Sequence, residues 1–463
     1  MNGLDQIATW ISENEALFSG LAAIVALIAI VPAALRPILR RRATSNAILE
    51  TGPATAPSGS GTTLPEESSA RPRLAVFPIE ATGGDDDLLT AAEIVTVELT
   101  TLLARSRGCE VISRRSSTVF AQSGKPTREA GSDLDVRYVV EGDVRRVAAG
   151  LRISASLIDT TRDKVVWSDS FETPSDDILS VSQSLAEEVG SHLGLELTRA
   201  EVVHSRRRPG SRAARDLILR ARGIQFDEGL NRNSFSRATA LLEEAIAVEP
   251  DDAEAHGYLA LLLALCQVFG FVDASNEHTE KVLRACHQAL EIDDPSSDVL
   301  GHVGCAYCDI KRYEQGVPLL ERAVELNPSN AQAKAALGTA FVGLKRFEAG
   351  AALIEDALRL TPAYKGNAPW ATVLVGAYLQ LDRPSEAEAS IAQALRCDPT
   401  FFPAHLLAAL VAVSRGDSQT AERHVREARR INPELDQGAA ARLVGRRAAG
   451  VLARWFGAEA KPA

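Results

Sequence analysis

The chain has 463 residues, too many for one ordinary hydrophobic core, so two or three domains are expected. Aromatic residues make up only 5% while alanine is plentiful, which suits close-packed helices better than a large sheet. A net charge of −11 argues against wholesale nucleic-acid binding, because phosphate contact rewards clustered Lys and Arg.

Residues 16–35 form an uncharged, mostly apolar run. As a helix rising about 1.5 Å per residue it spans roughly 30 Å, the thickness of a bilayer core, and it is read as a transmembrane helix. Asp5, Glu13 and Glu15 precede the run, and Arg36, Arg40, Arg41 and Arg42 follow it. A cleaved signal peptide would carry its positive charges first. The charge order therefore puts the amino terminus outside and everything after Arg42 in the cytoplasm. The expected location is a bacterial inner membrane, crossed once. Residues 43–71 turn to Thr, Ser, Pro, Gly and Ala without periodicity, the composition of a disordered tether.

Residues 72–200 read as a small α+β domain. Residues 74–77 form a short apolar strand ended by Pro78, and residues 88–103 have helical spacing behind Asp85, Asp86 and Asp87, which suit a helix's positive end. Residues 109–112 read as a second strand. Residues 138–146, 151–159 and 164–171 alternate apolar and polar side chains, the pattern of a meander with one wet face. An amphipathic helix over 177–193 closes the domain, so one helical layer is expected on one sheet. Residues 201–212, with Arg206, Arg207, Arg208 and Arg212, read as a solvated basic hinge.

From 212 to 433 one pattern repeats. Leu300-x2-Val303-Gly304-x2-Tyr307 is followed by Gly316-x3-Leu320-x2-Ala323-x4-Pro328. Thirty-four residues on, Leu337-Gly338-x2-Phe341 is followed by Gly350-x3-Ile354-x2-Ala357-x4-Pro362. Small residues at Gly304, Gly338, Ala323 and Ala357 let paired helices approach, and each proline falls just past a helix end. Ala238-x3-Leu242-x2-Ala245-x4-Pro250, Ala387-x3-Ile391-x2-Ala394-x4-Pro399 and Ala421-x3-Val425-x2-Ala428-x4-Pro433 extend the series. A degraded unit ends near Pro295, its turn lengthened by residues 269–277, and residues 364–367 are inserted ahead of a later one. That makes six units, enough to bury a continuous core. The period and its residues resemble the tetratricopeptide (TPR) repeat, a pair of antiparallel helices. Beyond them, Val444, Ala448, Val451, Leu452 and Trp455 fall at helical spacing, and residues 437–457 read as one capping helix.

The α+β segment carries a second resemblance. Leu74-Ala75-Val76-Phe77-Pro78, Ile112-Ser113-Arg114-Arg115-Ser116, residues 136–146 and residues 152–159 look like the TolB-amino-terminal-like domain. Bacterial proteins often place that domain before TPR repeats, commonly after a class III adenylate cyclase or a winged-helix transcriptional regulator. Here an apolar run and a tether occupy that place, so the resemblance does not carry cyclase activity over.

No motif of a nucleophile elbow, a phosphate loop or a kinase glycine loop is present. His302-x2-Cys305-x2-Cys308 has ligand-type residues on one helix face, with Cys286 as a further candidate, but small cysteines in a close helix pair are read as core, and no metal is expected. The six cysteines lack the spacing of a disulfide framework and fit a reducing compartment. No cofactor is expected.

What the TPR resemblance implies is a groove lined by each unit's first helix. Its lining here would include Gly301, Cys305, Cys308, Ala335, Thr339, Val342, Thr372, Gly376, Leu379, Leu406, Leu410 and Val413. These are small or apolar, and the Lys, Arg and Asn of a carboxylate clamp are missing, so an apolar peptide or helix is the expected partner.

The fold class expected is thus multidomain: a transmembrane helix, an α+β sandwich and an all-α TPR superhelix. The function expected is a non-enzymatic, membrane-anchored scaffold for protein–protein interaction on the cytoplasmic face. The alternative is a ligand-sensing signalling protein, related to TPR-containing adenylate cyclases or membrane-bound transcriptional regulators, whose output module is lost.

Overall fold

The computed structural model describes residues 71–456 apart from 84–85, 107, 149, 174–177, 207–212, 292–294 and 362–364. The apolar run at 16–35 and all of the tether but Arg71 lie outside the described residues. Among the described residues no helix is long and apolar enough to cross a membrane.

The first domain is a six-stranded sheet with helices against it. Strands β1 (Arg73–Val76) and β2 (Glu80–Thr82) both run parallel to β4 (Tyr138–Val147), and β3 (Glu110–Val111) pairs parallel with β1. β4, β5 (Gly150–Asp159) and β6 (Lys164–Thr173) form the antiparallel meander that their alternation predicts. Helices α1 (Asp86–Ser106) and α4 (Ile178–Ser205) cover one face, where Leu99, Leu103, Leu185 and Leu193 meet Leu74, Tyr138, Ile153 and Leu157.

Period-2 alternation sends Ala75 and Phe77 to the opposite face. There Phe120 of α2 (Arg114–Gln122) and Ala130 of α3 (Ala130–Asp133) cover them. The expected single helical layer is therefore corrected to one full layer and a second, partial one. The hinge reading over 201–212 is corrected for its first residues, while Arg207, Arg208 and Arg212 lie outside the described residues. α4 runs on to Ser205, and Glu201 is buried, accepting hydrogen bonds from Tyr138 Oη at 2.9 Å and Arg137 Nη1 at 2.9 Å. A carboxylate that satisfied holds the helix end in place rather than freeing it.

Among the described residues six helix pairs follow: α5 (Ala214–Glu228) with α6 (Arg232–Val248), α7 (Ala253–Val268) with α8 (Asn276–Leu290), and α9 (Ser297–Asp309) with α10 (Tyr313–Leu326). Then come α11 (Ala331–Gly343) with α12 (Phe347–Leu360), α13 (Asn367–Gln380) with α14 (Pro384–Cys397), and α15 (Phe402–Ser414) with α16 (Ser418–Ile431). The single capping helix is corrected to two, α17 (Gln437–Val444) and α18 (Arg446–Phe456), broken at Gly445 with φ +88°. A positive φ ends a helix and is open to glycine at little cost.

Within the two regular units, packing follows from missing side chains. A Cβ at Gly304 would lie 2.7 Å from Leu320 and 3.0 Å from the Gly316 carbonyl; one at Gly338 would lie 2.7 Å from both Ile354 and the Gly350 carbonyl. Helix backbones touch at these two points, as the sequence requires. The turn inside each unit is also repeated. Lys311, Lys345 and Asp382 take positive φ, and the next amide, of Arg312, Arg346 and Arg383, donates to the carbonyls of Tyr307, Phe341 and Tyr378 at 2.8 Å. Arg346 and Arg383 then lie over the same aromatic rings.

The stack winds so tightly that it meets itself. Phe269 and Phe271, in the lengthened turn after α7, pack on Phe401 and Phe402 at the start of α15, with ring centroids 5.8 and 6.5 Å apart. Arg232 pairs with Glu434 at 2.9 Å, and Lys365 donates to the Asp227 carbonyl at 3.3 Å. One core therefore runs from α5 to α7 and, from Val342 of α11, on through α12 to α18.

Candidate functional site

The tight winding decides the fate of the expected groove. Gly301 abuts Ala333, where a Cβ would lie 3.3 Å from its neighbour's, and Ala335 packs with Ala357 and Leu360. Cys308 packs with Leu320 and Phe341, and Val342, Leu406 and Leu410 belong to the long core. Thr372 is buried and donates to the Pro369 carbonyl at 2.6 Å. These seven are corrected from groove lining to packing residues. The first helices α7, α11, α13 and α15 are apolar on nearly all sides, which is the mark of a helix surrounded by protein.

Five expected positions keep contact with solvent: Cys305 on α9, Thr339 on α11, Gly376 and Leu379 on α13, and Val413 on α15. Cys305 and Thr339 are 34 residues apart, as are Leu379 and Val413, so they occupy equivalent places on neighbouring helices. A Cβ at Gly376 would meet nothing within 4 Å, so open space stands beside α13. What remains of the groove is a strip, narrower and shallower than the repeat pattern alone suggests.

Among the described residues no group of three or more His, Cys, Asp and Glu is arranged to hold an ion. Burial raises the Cys305 thiol well above its ordinary value and pushes Cys308 and Cys286 up to about 12, so each stays protonated. Cys305 Sγ donates instead to Asp309 Oδ2 at 3.7 Å.

A second feature had no signature in the sequence. The α+β domain sits over the ends of the repeats. Ser329 Oγ donates to the Glu187 carbonyl at 2.9 Å, Arg359 pairs with Glu188 at 3.0 Å, and Arg215 Nη2 donates to the Gly108 carbonyl at 3.0 Å. Buried Lys334 stands 2.5 Å from Asp356 and 3.6 Å from Glu187. Behind these contacts lies a cavity of about 440 Å³, walled by α1 and α4 on one side and by the amino-terminal ends of α7, α9 and α11 on the other. Those three ends are capped by Asp252, Ser296 and Asn330, whose side chains accept from the amides of Ala255, Val299 and Ala333.

Charges of both signs line this cavity. Arg222 pairs with Glu254 at 3.0 Å and lies over the Tyr258 ring. Burial raises Glu254, but Arg222, Arg215 and Arg71 together hold it below the ordinary carboxylate range. Asp298 is pushed up to about 6 by burial, against the pull of Arg222 and Arg71. His302 is 4% exposed, stacks on Tyr258 at 5.3 Å and is lowered to about 3, by burial first and then by Arg222. Its ring is neutral at any physiological pH.

The fold defines a helical repeat array, and the comparisons say which kind. Residues 225–265 and 304–365 match the tetratricopeptide repeat family, so the chain carries TPR repeats. A protein of Rhizobium meliloti (strain 1021) named "Putative adenylate cyclase 3" is 28% identical over 243 residues, which is 51% of this chain and 40% of that protein. The chain thus spans about two-fifths of that relative's length. Similar solved structures include Pseudomonas aeruginosa pilF, 21% identical over 47% of this chain and 94% of that one, with a TM-score of 0.32. YrrB, titled a TPR protein with an unusual peptide-binding site, is 17% identical over 42% of this chain and 90% of its own, with a TM-score of 0.26.

Proposed function

We propose that this protein is a scaffold without chemistry of its own, which holds an apolar segment of a partner protein against the first helices of its TPR array. The observation that carries the reading is the half-buried strip through Cys305, Thr339, Gly376, Leu379 and Val413, on neighbouring first helices with open space at Gly376. Small and apolar side chains there favour an apolar peptide or helix over an acidic tail. The run at 16–35, with arginines behind it, supports anchoring in a bacterial inner membrane with the domains on the cytoplasmic face. Anchoring by a tether raises the effective concentration of a captured partner at the membrane.

A second reading, a ligand-sensing relative of TPR-containing adenylate cyclases or membrane-bound regulators, is favoured by one observation. The cavity lies where the α+β domain meets the repeats, so an occupant there would touch both.

The test is affinity purification from solubilised membranes with the intact chain, Gly376→Phe, and a truncation lacking residues 211–463. The phenylalanine enters open space, so the array stays folded, yet it obstructs the strip. Partners retained by the intact chain and lost from both variants support the scaffold; partners retained equally by Gly376→Phe contradict it.

A further inference from the structure

We infer that the cavity between α4 and the repeats is a binding site for a small zwitterion of amino-acid or dipeptide size, its acid group held by Arg215 with Arg222 and its ammonium by Asp298 with Asp252. This goes beyond the scaffold reading and does not depend on it.

Size is the first argument. About 440 Å³ falls within the range of small-molecule sites, roughly 300–1,000 Å³. Unmet hydrogen-bonding capacity is the second. His302 and Arg215 both line the cavity, and His302 Nδ1 and Arg215 Nε, buried behind its surface, have no hydrogen-bond partner among the described residues. His302 as a whole is 4% exposed and held in place by its stack on Tyr258, so its idle nitrogen cannot turn to solvent. Buried polar atoms left without partners cost free energy, and in native proteins nearly all of them are met by protein, ordered water or a bound group.

Charge then selects the class. Arg71, Arg215 and Arg222 all line the cavity, and together they hold Glu254 below the ordinary carboxylate range. A plain anion would face Asp252 and Asp298 on the same wall, and a plain cation would face the arginines. A molecule with one charge of each sign meets both without a net Coulomb cost. Apolar surface from Leu195, Leu219 and Phe226 is left for the body of the ligand. The wall is drawn from α1 and α4 as well as from the first helices of five repeats, so an occupant would pin the α+β domain to the array.

The test is calorimetric titration of the full chain in detergent with free glycine, leucine, glutamate and glycyl-leucine, beside their N-acetyl and C-amide forms. At least one free zwitterion should bind with one-to-one stoichiometry, and blocking either end should weaken it by about tenfold or more. Asp298→Asn and Arg215→Gln should weaken it similarly. Gly194→Leu is the variant that separates binding from folding. A Cβ at Gly194 meets nothing within 4 Å, so the larger side chain fills the cavity without a clash. It should abolish binding while the unliganded melting temperature stays within a few degrees of the parent's or rises. Absence of heat from every free zwitterion at millimolar concentration overturns the assignment, as does equal binding of the blocked forms or unchanged binding by Gly194→Leu.

Discussion

The two regular units and the seam where the array meets itself hold together in opposite ways. In α9–α12 the helices approach through absent side chains, Gly304 against Gly316 and Gly338 against Gly350. At the seam, large rings fill the gap: Phe235, Phe269, Phe271, Phe401 and Phe402 form one aromatic cluster. A repeat unit must present the same face to each neighbour and so depends on close backbone contact. The seam joins two surfaces that the repeat pattern never matched, and aromatic bulk fills the mismatch.

The sharpest way to break this contrast is to remove bulk from the seam. Phe402→Ala deletes a side chain that is 1% exposed and packs on Phe271, so it should cost about 3–5 kcal/mol in denaturant unfolding. Next in size is a pH effect inside the regular half. His302 stays neutral in the folded chain down to about pH 3, whereas the unfolded side chain takes a proton near 6.5. The unfolded state therefore binds the extra proton, and stability contributed at neutral pH is lost as pH falls from about 6.5 toward 3. His302→Gln has no such proton, so the stability difference between variant and parent should shift in the variant's favour between pH 7 and pH 4. The shift should be on the order of 3 kcal/mol, read from denaturant midpoints at each pH.

Adding bulk to the regular half should do what removing it does at the seam. Gly338→Ala forces a Cβ to within 2.7 Å of the Gly350 carbonyl and should cost about 1–3 kcal/mol. The smallest effect has the reverse sign. Gly376→Ala, one position further along the repeat and beside open space, should stabilise by up to about 1 kcal/mol through helix propensity alone. If both glycines responded alike, the division into contact and open positions would fail.

Much of this arrangement was legible in the residues. Gly304, Gly338, Ala323 and Ala357 declared the paired helices, and alternation over 138–171 declared the meander. The seam was visible only as irregularity: the turn lengthened at 269–277 supplies Phe269 and Phe271, and the insertion at 364–367 supplies Lys365. Periodicity reports how a unit meets its neighbour, not how far each step turns, so it could not say that the stack would close and bury Val342, Leu406 and Leu410. The cavity was invisible for a related reason. Its wall joins Arg215 and His302 to Gly194, residues that no local spacing relates.

Closure itself is tested most directly at Arg232 and Glu434, which pair across the seam at 2.9 Å with exposed side chains. The double variant Arg232→Cys with Glu434→Cys, treated with a short bismaleimide, should give one intramolecular cross-link in high yield, while either single variant gives none. A cross-link that forms no faster in the native chain than in the chain unfolded in denaturant would show an open superhelix, and the groove would then have to be redrawn along all twelve positions.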